Sequence, residues 1–274
     1  MSAADHTEEP IIRVRGLVNR FGAETVHDGL DLDVRRGEVL GIVGGSGSGK
    51  SVLLRTIVGL NRPVKGKVEV FGQDVLAMSD RQMRELERRW GVLFQDGALF
   101  SSLTVAQNIE VPIKEHFRIP LSLMDEISAV KVGMVGLPED AGDKYPSQLS
   151  GGMRKRAGLA RALALDPEIV FLDEPTAGLD PIAAGDFDGL IRDLRSSLGL
   201  TVFMVTHDLD TLFSICDRVA ILVDKKIRVG SLEEMLQDDH PWIKSYFHGP
   251  RGRAALLSEA GHLARSGTPV VSGV

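Results

Sequence analysis

Residues 44–51 have the composition and spacing of a phosphate-binding loop. They read GGSGSGKS and fit the pattern G-x-x-x-x-G-K-[ST], between a strand-like apolar run at residues 39–43 and a helix-like run at 52–60. Glycines let backbone N–H groups turn toward phosphate oxygens, and the positive N-terminal end of the following helix adds to the attraction. A flexible glycine–serine linker would not need these flanking elements, so we predict a nucleoside triphosphate site.

Within this loop, the side chains that follow the last glycine carry most of the chemistry. Lys50 is predicted to reach the β- and γ-phosphates, and the Ser51 hydroxyl is predicted to bind Mg²⁺. The predicted nucleotide-binding residues of this segment are Gly44, Gly45, Ser46, Gly47, Ser48, Gly49, Lys50, Ser51 and Val52.

An acidic pair, Asp173 and Glu174, follows the nearly all-apolar run at residues 168–172. Such a run is typical of a strand that is buried on both faces. Two adjacent carboxylates at the end of a buried strand are costly unless a cation and a substrate use them. We predict that Asp173 holds Mg²⁺ opposite Ser51 and that Glu174 polarises the attacking water.

A second candidate phosphate receptor is the segment at residues 149–153, which reads LSGGM and precedes a helix-favouring run. Ser150 has the character of a helix N-cap, and Gly151 and Gly152 leave the backbone open to a ligand. The same geometry at a helix N-terminus can receive a γ-phosphate. With one nucleotide per chain, this second helix end is predicted to serve the nucleotide of a neighbouring chain.

The chemical segments are separated by alternating strand-like and helix-like runs. This alternation predicts an α/β fold with a mostly parallel sheet, in which the strand ends position the loops. Further predicted strands are residues 11–18, 26–34, 67–70, 91–94, 201–206, 219–223 and 226–229.

Residues 104–165 are helical in pattern and are predicted to form an insertion between two strands of the sheet. Asp180 is predicted to cap a helix at 181–198, with Pro181 at its first position. Four apolar residues of the insertion have the spacing of one helix face, namely Leu123, Ile127, Val130 and Met134.

Length and composition limit the organisation of the chain. Its 274 residues suffice for one or two domains with a sizeable core. Residues 1–10 are predicted to be a disordered lead-in, 11–248 to be the main domain, and 249–274 to be a tail in which 254–265 favour a short helix.

Charge and cysteine content restrict the partners and the compartment. The net charge of −6 disfavours binding to nucleic acid. The single cysteine, Cys216, excludes an intrachain disulfide, which fits the cytosol, and its apolar neighbours indicate a small core residue. No apolar run reaches the roughly 20 residues that a bilayer-spanning helix needs, so membrane contact is expected through a partner subunit.

Taken in order, these motifs resemble the nucleotide-binding subunit of ABC transporters from about residue 11 to residue 248. The resemblance implies a P-loop NTPase core, an antiparallel β subdomain, and a helical subdomain at about 104–165. It implies ATP and Mg²⁺ as cofactors, a homodimer of ATPase subunits, and an integral membrane permease as partner. Residues 44–51 match the family's phosphate loop, 149–153 its signature sequence and 177–180 its D-loop.

The resemblance also assigns roles to residues that would otherwise be interpreted as structural. Gln95 matches the Q-loop glutamine, which senses Mg²⁺ and the attacking water, and His207 matches the switch histidine that contacts the γ-phosphate. Phe21 falls where the family's adenine-stacking aromatic lies, and stacking suits a ring because every base has a π-face. Asp180 belongs to the D-loop near the nucleotide.

The departures from the family pattern leave every catalytic group in place. Val52 lacks the hydroxyl that contacts the α-phosphate in many relatives. Met153 replaces the more common glutamine, and Ala177 replaces the more common serine.

A narrower resemblance points to the Mla-type ATPases of MCE-protein lipid transporters. It is carried by the segment 95–105, the SGGM signature and the turn at 224–227. It implies transport of phospholipids or related lipids between envelope membranes, with MCE-protein and STAS-domain partners, and a peripheral position on the cytoplasmic face of the inner membrane.

Other functions stay open at this level. One is an ABC ATPase for another solute, for either uptake or export. Another is a non-transport ABC ATPase in repair, translation or division, although a long coiled-coil insertion and a second ATPase domain are both absent from this sequence. A P-loop kinase would not explain the LSGG segment or His207.

Overall fold

The computed structural model describes residues 9–249. The predicted lead-in therefore lies mostly outside the described residues, as do tail residues 250–274 and the short helix predicted at 254–265. The strands are β1 (Ile12–Phe21), β2 (Glu24–Val34), β3 (Val39–Gly44), β4 (Lys65–Val70), β5 (Gln73–Asp74), β6 (Trp90–Leu93), β7 (Ile169–Asp173), β8 (Thr201–Val205), β9 (Arg218–Val223) and β10 (Lys226–Gly230).

The helices fall into three groups along the chain. One helix follows β3, three lie in the predicted insertion with short 3₁₀ turns between them, and the others surround the remaining strands. They are α1 (Lys50–Ile57), α2 (Asp80–Glu87), α3 (Val105–His116), α4 (Leu121–Met134), α5 (Gly151–Ala162), α6 (Pro181–Leu198), α7 (Leu209–Ile215), α8 (Leu232–Leu236) and α9 (Pro241–His248).

The central sheet has six strands in the order β10-β9-β3-β8-β7-β6. All neighbours from β9 to β6 pair in parallel, and β10 forms an antiparallel hairpin with β9. Strands β7 and β8 are buried along their whole length, which explains their continuous apolar sequence. The prediction of a mostly parallel sheet is confirmed.

A second sheet has four antiparallel strands in the order β2-β1-β4-β5. Its inner face packs on the central sheet, because Ile12 and Leu32 belong to the same buried cluster as Ile42 and Phe171. This sheet is the antiparallel β subdomain that the family resemblance implied. Phe21 is the last residue of β1 in this sheet.

The parallel strands place the chemical loops at one edge of the molecule. Strands β3, β7 and β8 are neighbours, and each runs in the same direction. Their carboxyl ends therefore lie side by side, as in other open α/β sheets that bind ligands there. Gly44, Asp173 and His207 lie at or just after these three ends.

The predicted apolar face of α4 is wrong in part. Leu123 is 43% exposed and Val130 is 61% exposed, whereas Met124 and Val132 are buried in the core of the insertion. Ile127 and Met134 are partly buried and pack against that core, as predicted. The buried stripe lies one or two residues away from the predicted one because the helix is apolar on two sides.

Two smaller predictions concern Cys216 and α1. Cys216 is partly buried and packs against two apolar clusters, and burial raises the pKa of its thiol well above its ordinary value; the expected small packing residue therefore lies at the edge of the core. Helix α1 begins at Lys50 and ends at Ile57, a shorter span than the run 52–60 that the sequence predicted. Gly59, with a φ of 80°, lies after the end of the helix.

Candidate functional site

The loop between β3 and α1 depends on glycine at two close approaches. A Cβ on Gly44 would lie 2.5 Å from Ser48 Oγ and 2.8 Å from the Leu222 carbonyl oxygen. A Cβ on Gly49, whose φ is 98°, would lie 2.3 Å from Val26 Cγ1. Neighbouring residues therefore pack closely against the loop at Gly44 and Gly49 and leave no room for a side chain there. A backbone without side chains at these positions is what a phosphate-binding loop requires.

Lys50 lies over this loop at the start of α1. Its Nζ donates to the carbonyl oxygens of Gly44 at 2.8 Å and Gly45 at 3.2 Å. Burial lowers the pKa of the ammonium group, and the carboxylates of Glu174 and Asp173 oppose this shift. The cation thus lies within the electrostatic reach of both acidic residues, where it can also meet phosphate oxygens.

Ser51 and Asp173 come together across 122 residues of sequence. The Ser51 hydroxyl donates to Asp173 Oδ1 at 3.1 Å, and the Asp173 side chain is buried at the end of β7. Hydroxyl and carboxylate oxygens are the ligands that Mg²⁺ prefers, and this ion usually keeps further positions for water and phosphate. The pair fits that use, and residues 9–249 contain no group of three or more acidic, histidine or cysteine side chains able to hold a metal alone.

Glu174 adopts a left-handed backbone conformation with a φ of 52°, which is uncommon for residues other than glycine. Its N–H donates to the Val205 carbonyl at 2.8 Å, and its own carbonyl accepts from Lys155 Nζ at 3.0 Å. Its carboxylate Oε2 lies 2.6 Å from His207 Nδ1. The backbone and the side chain of Glu174 are therefore held by β8, by α5 and by the loop that follows β8.

The N-terminus of α5 lies in a different place from the N-terminus of α1. Ser150 is the N-cap of α5, and its Oγ accepts from the Met153 N–H at 3.2 Å, as the sequence predicted. A Cβ on Gly151 or Gly152 would lie 3.9 Å from Leu179 Cδ2, so these glycines face the D-loop of their own chain. Within residues 9–249 no hydrogen bond joins Ser150 to the loop at 44–51, and Ser150 is exposed.

Asp180 confirms the predicted helix cap. Its carboxylate accepts from the N–H groups of Ile182 at 3.1 Å and Ala183 at 3.0 Å at the start of α6. Pro181 occupies the first helical position. The cap fixes the start of α6 directly after the segment 177–180.

Gln95 and Phe21 are exposed at the edges of this region. Gln95 follows β6 and opens a short 3₁₀ turn at Gln95–Gly97. Phe21 ends β1 opposite Glu24, and the residue is 53% exposed. Both positions are compatible with the predicted roles, which stay predictions.

Sequence reasoning missed a buried polar network beneath the phosphate loop. His27 Nδ1 lies 3.1 Å from Asn19 Oδ1, Asn19 Nδ2 donates to Thr56 Oγ1 at 3.1 Å, and Thr56 donates to the Val52 carbonyl at 2.7 Å. Burial lowers the pKa of His27 to about 4, so the imidazole is neutral beneath Gly49. A histidine in a strand carries no sequence signal for this contact.

Two further contacts were also missed, those of Lys155 and Tyr246. Lys155 is buried and lies five positions after Ser150 on α5, a spacing that does not by itself point to Glu174. Tyr246 lies on α9, and its hydroxyl donates to the His207 carbonyl at 3.2 Å. The region of α9 was not assigned to any element from the sequence.

The geometry defines a class of protein. A glycine-rich strand-to-helix loop with Lys50 and Ser51, beside an acidic residue at the end of a parallel strand, is the site of a P-loop nucleoside triphosphatase. The model of the ABC transporter family matches residues 27–177, which is more than half of the chain. The chain therefore belongs to the ABC transporter family and is an ABC-type ATPase.

Three curated relatives show how far this similarity extends. The chain is 40% identical over 240 residues to the intermembrane phospholipid transport system ATP-binding protein MlaF of Haemophilus influenzae, covering 87% of this chain and 90% of the relative. It is 39% identical to MlaF of Escherichia coli K12, covering 87% and 89%. It is 38% identical to the probable ribonucleotide transport ATP-binding protein mkl of Mycobacterium leprae, covering 96% and 80%.

Solved structures confirm the fold class. The dimeric post-hydrolysis structure of the ATP-binding cassette MJ0796 bound to ADP and Pi matches with a TM-score of 0.74 at 29% identity, covering 81% of this chain and 98% of that one. The structure of cbiO1 from Clostridium perfringens, part of the ABC transporter complex cbiONQ, matches with a TM-score of 0.76 at 28% identity, covering 92% and 100%. None of the helices in residues 9–249 is long and apolar enough to cross a membrane.

Proposed function

We propose that the chain drives the transport of phospholipids or related lipids between envelope membranes by hydrolysing ATP. The observation that carries this proposal is the identity of 39–40% to MlaF proteins, which extends over 89–90% of their length. An alignment of 240 residues within a chain of 274 necessarily includes residues 44–207, and with them the phosphate loop, Glu174, His207 and the segment 95–105, which is expected to face the permease. A loop that contacts a partner carries information about that partner.

Each ATP is bound and hydrolysed by the residues described above. The loop at 44–51 cradles the phosphates, Lys50 contacts the β- and γ-phosphates, and Phe21 stacks on the adenine. Ser51 and Asp173, together with Gln95, would hold Mg²⁺, which would supply charge neutralisation at the phosphates.

The proton chemistry rests on two side chains. The Glu174 carboxylate accepts a hydrogen bond from the attacking water and so orients it toward the γ-phosphate. The same carboxylate lies 2.6 Å from His207 Nδ1, which leaves the other ring nitrogen of His207 to face the γ-phosphate. Lys155 supports the arrangement by donating to the backbone carbonyl of Glu174.

The working unit is a homodimer. Ser150, Gly151 and Gly152 of one chain receive the γ-phosphate bound by the partner chain, and Asp180 lies at the same interface. The dimeric MJ0796 cassette supports this arrangement. The exposed N-terminus of α5, which makes no hydrogen bond with the phosphate loop in residues 9–249, is free to meet a second chain.

The other partners follow from the Mla-type resemblance. The domain comprises residues 11–248, with a helical subdomain at about 104–165 that contains α3, α4 and α5. This subdomain and the loop around Phe100 bind an integral membrane permease on the cytoplasmic face of the inner membrane. MCE-protein and STAS-domain subunits complete the assembly, and nucleic acid is not a partner.

Reconstitution tests the transported substrate. The chain is purified with its permease, placed in vesicles that contain a fluorescent phospholipid, and supplied with ATP and acceptor vesicles. We expect ATP-dependent lipid transfer that is lost in a matched sample carrying Glu174→Gln. Equal transfer in both samples, or ATP hydrolysis that no phospholipid affects, would contradict the proposal.

A second candidate substrate comes from the relative mkl, whose name describes ribonucleotide transport. The alignment with this chain covers 80% of the length of mkl. The same reconstituted sample can be loaded with a labelled ribonucleotide instead of lipid. ATP-dependent movement of the ribonucleotide without lipid transfer would favour this candidate.

A further inference from the structure

Helix α9 is anchored to the body of the protein along one face. Ile243 and Phe247, four positions apart, are both completely buried. At the N-terminus of the helix, His240 Nδ1 accepts from the Trp242 N–H at 3.2 Å, and His240 Nε2 lies 3.0 Å from Asp224 Oδ2. The helix therefore has a fixed position relative to the central sheet.

Two aromatic residues on a neighbouring face of α9 reach the catalytic edge of the sheet. Trp242 and Tyr246 stack with ring centroids 5.0 Å apart and an interplanar angle of 12°. A Cβ on Gly45 would lie 3.5 Å from Trp242 Nε1, so the indole borders the phosphate loop. The stacked pair thus begins at the phosphate loop and extends along α9.

The far end of this pair reaches the residue that follows β8. The Tyr246 hydroxyl donates to the His207 carbonyl oxygen at 3.2 Å. Burial raises the pKa of the Tyr246 phenol, and the carboxylates of Asp208 and Glu174 raise it further. The phenol is therefore a permanent hydrogen-bond donor at physiological pH.

His207 needs such a backbone anchor. Its side chain is 65% exposed, so packing holds the imidazole only weakly. The short turn between β8 and α7 is closed by the Asp208 N–H donating to Thr206 Oγ1 at 3.0 Å. A donor on the carbonyl of His207 restricts the peptide plane that follows the residue and hence the position from which its side chain reaches Glu174.

We propose that Tyr246 is a positioning residue for His207, and that the stacked Trp242–Tyr246 pair links the phosphate loop to the loop that carries this histidine. The inference rests on the proposed role of His207 in hydrolysis. In this arrangement α9 keeps the imidazole in reach of Glu174 while the phosphate loop is filled. ATP binding itself does not depend on the Tyr246 hydroxyl.

The first test removes only the hydroxyl. Tyr246→Phe should lower the kcat of ATP hydrolysis about three- to tenfold, the range expected for the loss of one hydrogen bond, with KM for ATP within about twofold of wild type. Tyr145→Phe is the matched control, because Tyr145 is the only other tyrosine of the sequence and lies outside the proposed site. Its kcat should equal that of wild type.

A double-mutant cycle separates positioning from a general structural effect. His207→Ala should lower activity strongly, and adding Tyr246→Phe to His207→Ala should lower it by less than about 1.5-fold, because the effect of Tyr246 acts through His207. A full additional three- to tenfold loss would overturn the inference. If His207→Ala retained wild-type activity, the proposed role of His207 would fail, and the inference would fail with it.

The fluorescence of Trp242 provides a structural control. In a Trp90→Phe background Trp242 is the only tryptophan, since the sequence contains two. Tyr246→Phe should leave its emission maximum, its response to Mg²⁺-ATP and the apparent Kd for ATP unchanged. Two results would overturn the positioning role. One is an unaltered kcat in Tyr246→Phe. The other is a lower kcat that comes with a shifted emission maximum and weaker ATP binding.

Discussion

Glu174 is the residue that we propose orients the attacking water. Its left-handed backbone is held by β8 through Val205 and by α5 through Lys155, and its side chain is held by His207. Residues in sparsely populated backbone conformations persist where the surrounding structure fixes them, and they are frequent in active sites. The strain at this position is consistent with a carboxylate that must point toward a water molecule.

The substitution Glu174→Gln tests this role. We expect ATP binding to persist, because the phosphate loop is unchanged, and hydrolysis to fall by a factor of about one hundred or more. The ATP-bound dimer should also stay closed, which size-exclusion chromatography with Mg²⁺-ATP can detect. Near-normal turnover would remove Glu174 from the catalytic role.

His27 predicts a pH dependence of stability. Burial lowers its pKa to about 4 from 6.5, so the unfolded chain takes up the proton first as the pH falls. The stabilisation by neutral His27 is complete above about pH 6.5 and is lost between there and about pH 4, with a loss of about 2 kcal/mol between pH 7 and pH 5. Between pH 7 and pH 5, the free energy of unfolding of the wild type should therefore fall by about 2 kcal/mol more than that of the His27→Gln variant.

Asp188 acts in the opposite direction over the same range. Burial raises its pKa to about 6 from 3.8, so this carboxyl contributes stability below about pH 4 that is lost as the pH rises through 6. Comparison of wild type with His27→Gln cancels this contribution, because both proteins keep Asp188. Parallel profiles of unfolding free energy between pH 7 and pH 5 would contradict the assignment to His27.

At the scale of elements, the strongly patterned segments were predictable. The strands β3 and β7 were found because their apolar runs end at glycine or aspartate, and the helix α6 because Asp180 and Pro181 mark its start. The face of α4 was wrong because Leu123 and Val130 are apolar but exposed. Periodicity identifies a helix, but it cannot choose between two apolar sides when only one meets the core.

The candidate site was predictable to the same extent. Lys50, Ser51 and Asp173 lie in short motifs whose residue types are dictated by phosphate and Mg²⁺ chemistry, so the sequence alone indicates them. His27 and Tyr246 support the site from other elements, and their contacts exist only once the sheet and α9 are assembled. Such contacts join residues distant in sequence, and no local pattern encodes them.

The loop after β6 predicts where the permease binds. Ala98 is exposed and Phe100 is 52% exposed, so neither side chain supports the core. Changing both residues to Asp should release the chain from membranes that contain its permease while ATP binding stays intact. Val64→Asp, at a 53% exposed apolar position next to β4, is the control and should leave attachment unchanged. Membrane attachment that persists without any permease would contradict the prediction.

At the scale of the whole molecule, one chain carries two helix ends suited to phosphate. The N-terminus of α1 meets Asp173 through Ser51, whereas the N-terminus of α5 is exposed and capped only by Ser150 within the described part of the chain. One nucleotide per chain cannot use both ends unless two chains associate head to tail. We therefore propose that each ATP lies between Lys50 of one chain and Ser150 of the other.

Mixing two inactive variants tests whether two chains share each ATP. Lys50→Ala removes phosphate binding, and Ser150→Arg blocks the receiving helix end, so each variant alone should be inactive. In a mixed dimer one interface carries both substitutions and the other carries none, so random pairing leaves about a quarter of all sites intact. After subunit exchange is verified with two affinity tags, ATPase activity of the mixture should rise to about a quarter of wild type. A mixture as inactive as either parent, together with no ATP-dependent crosslink between cysteines placed at positions 48 and 151 of separate chains, would contradict the shared site.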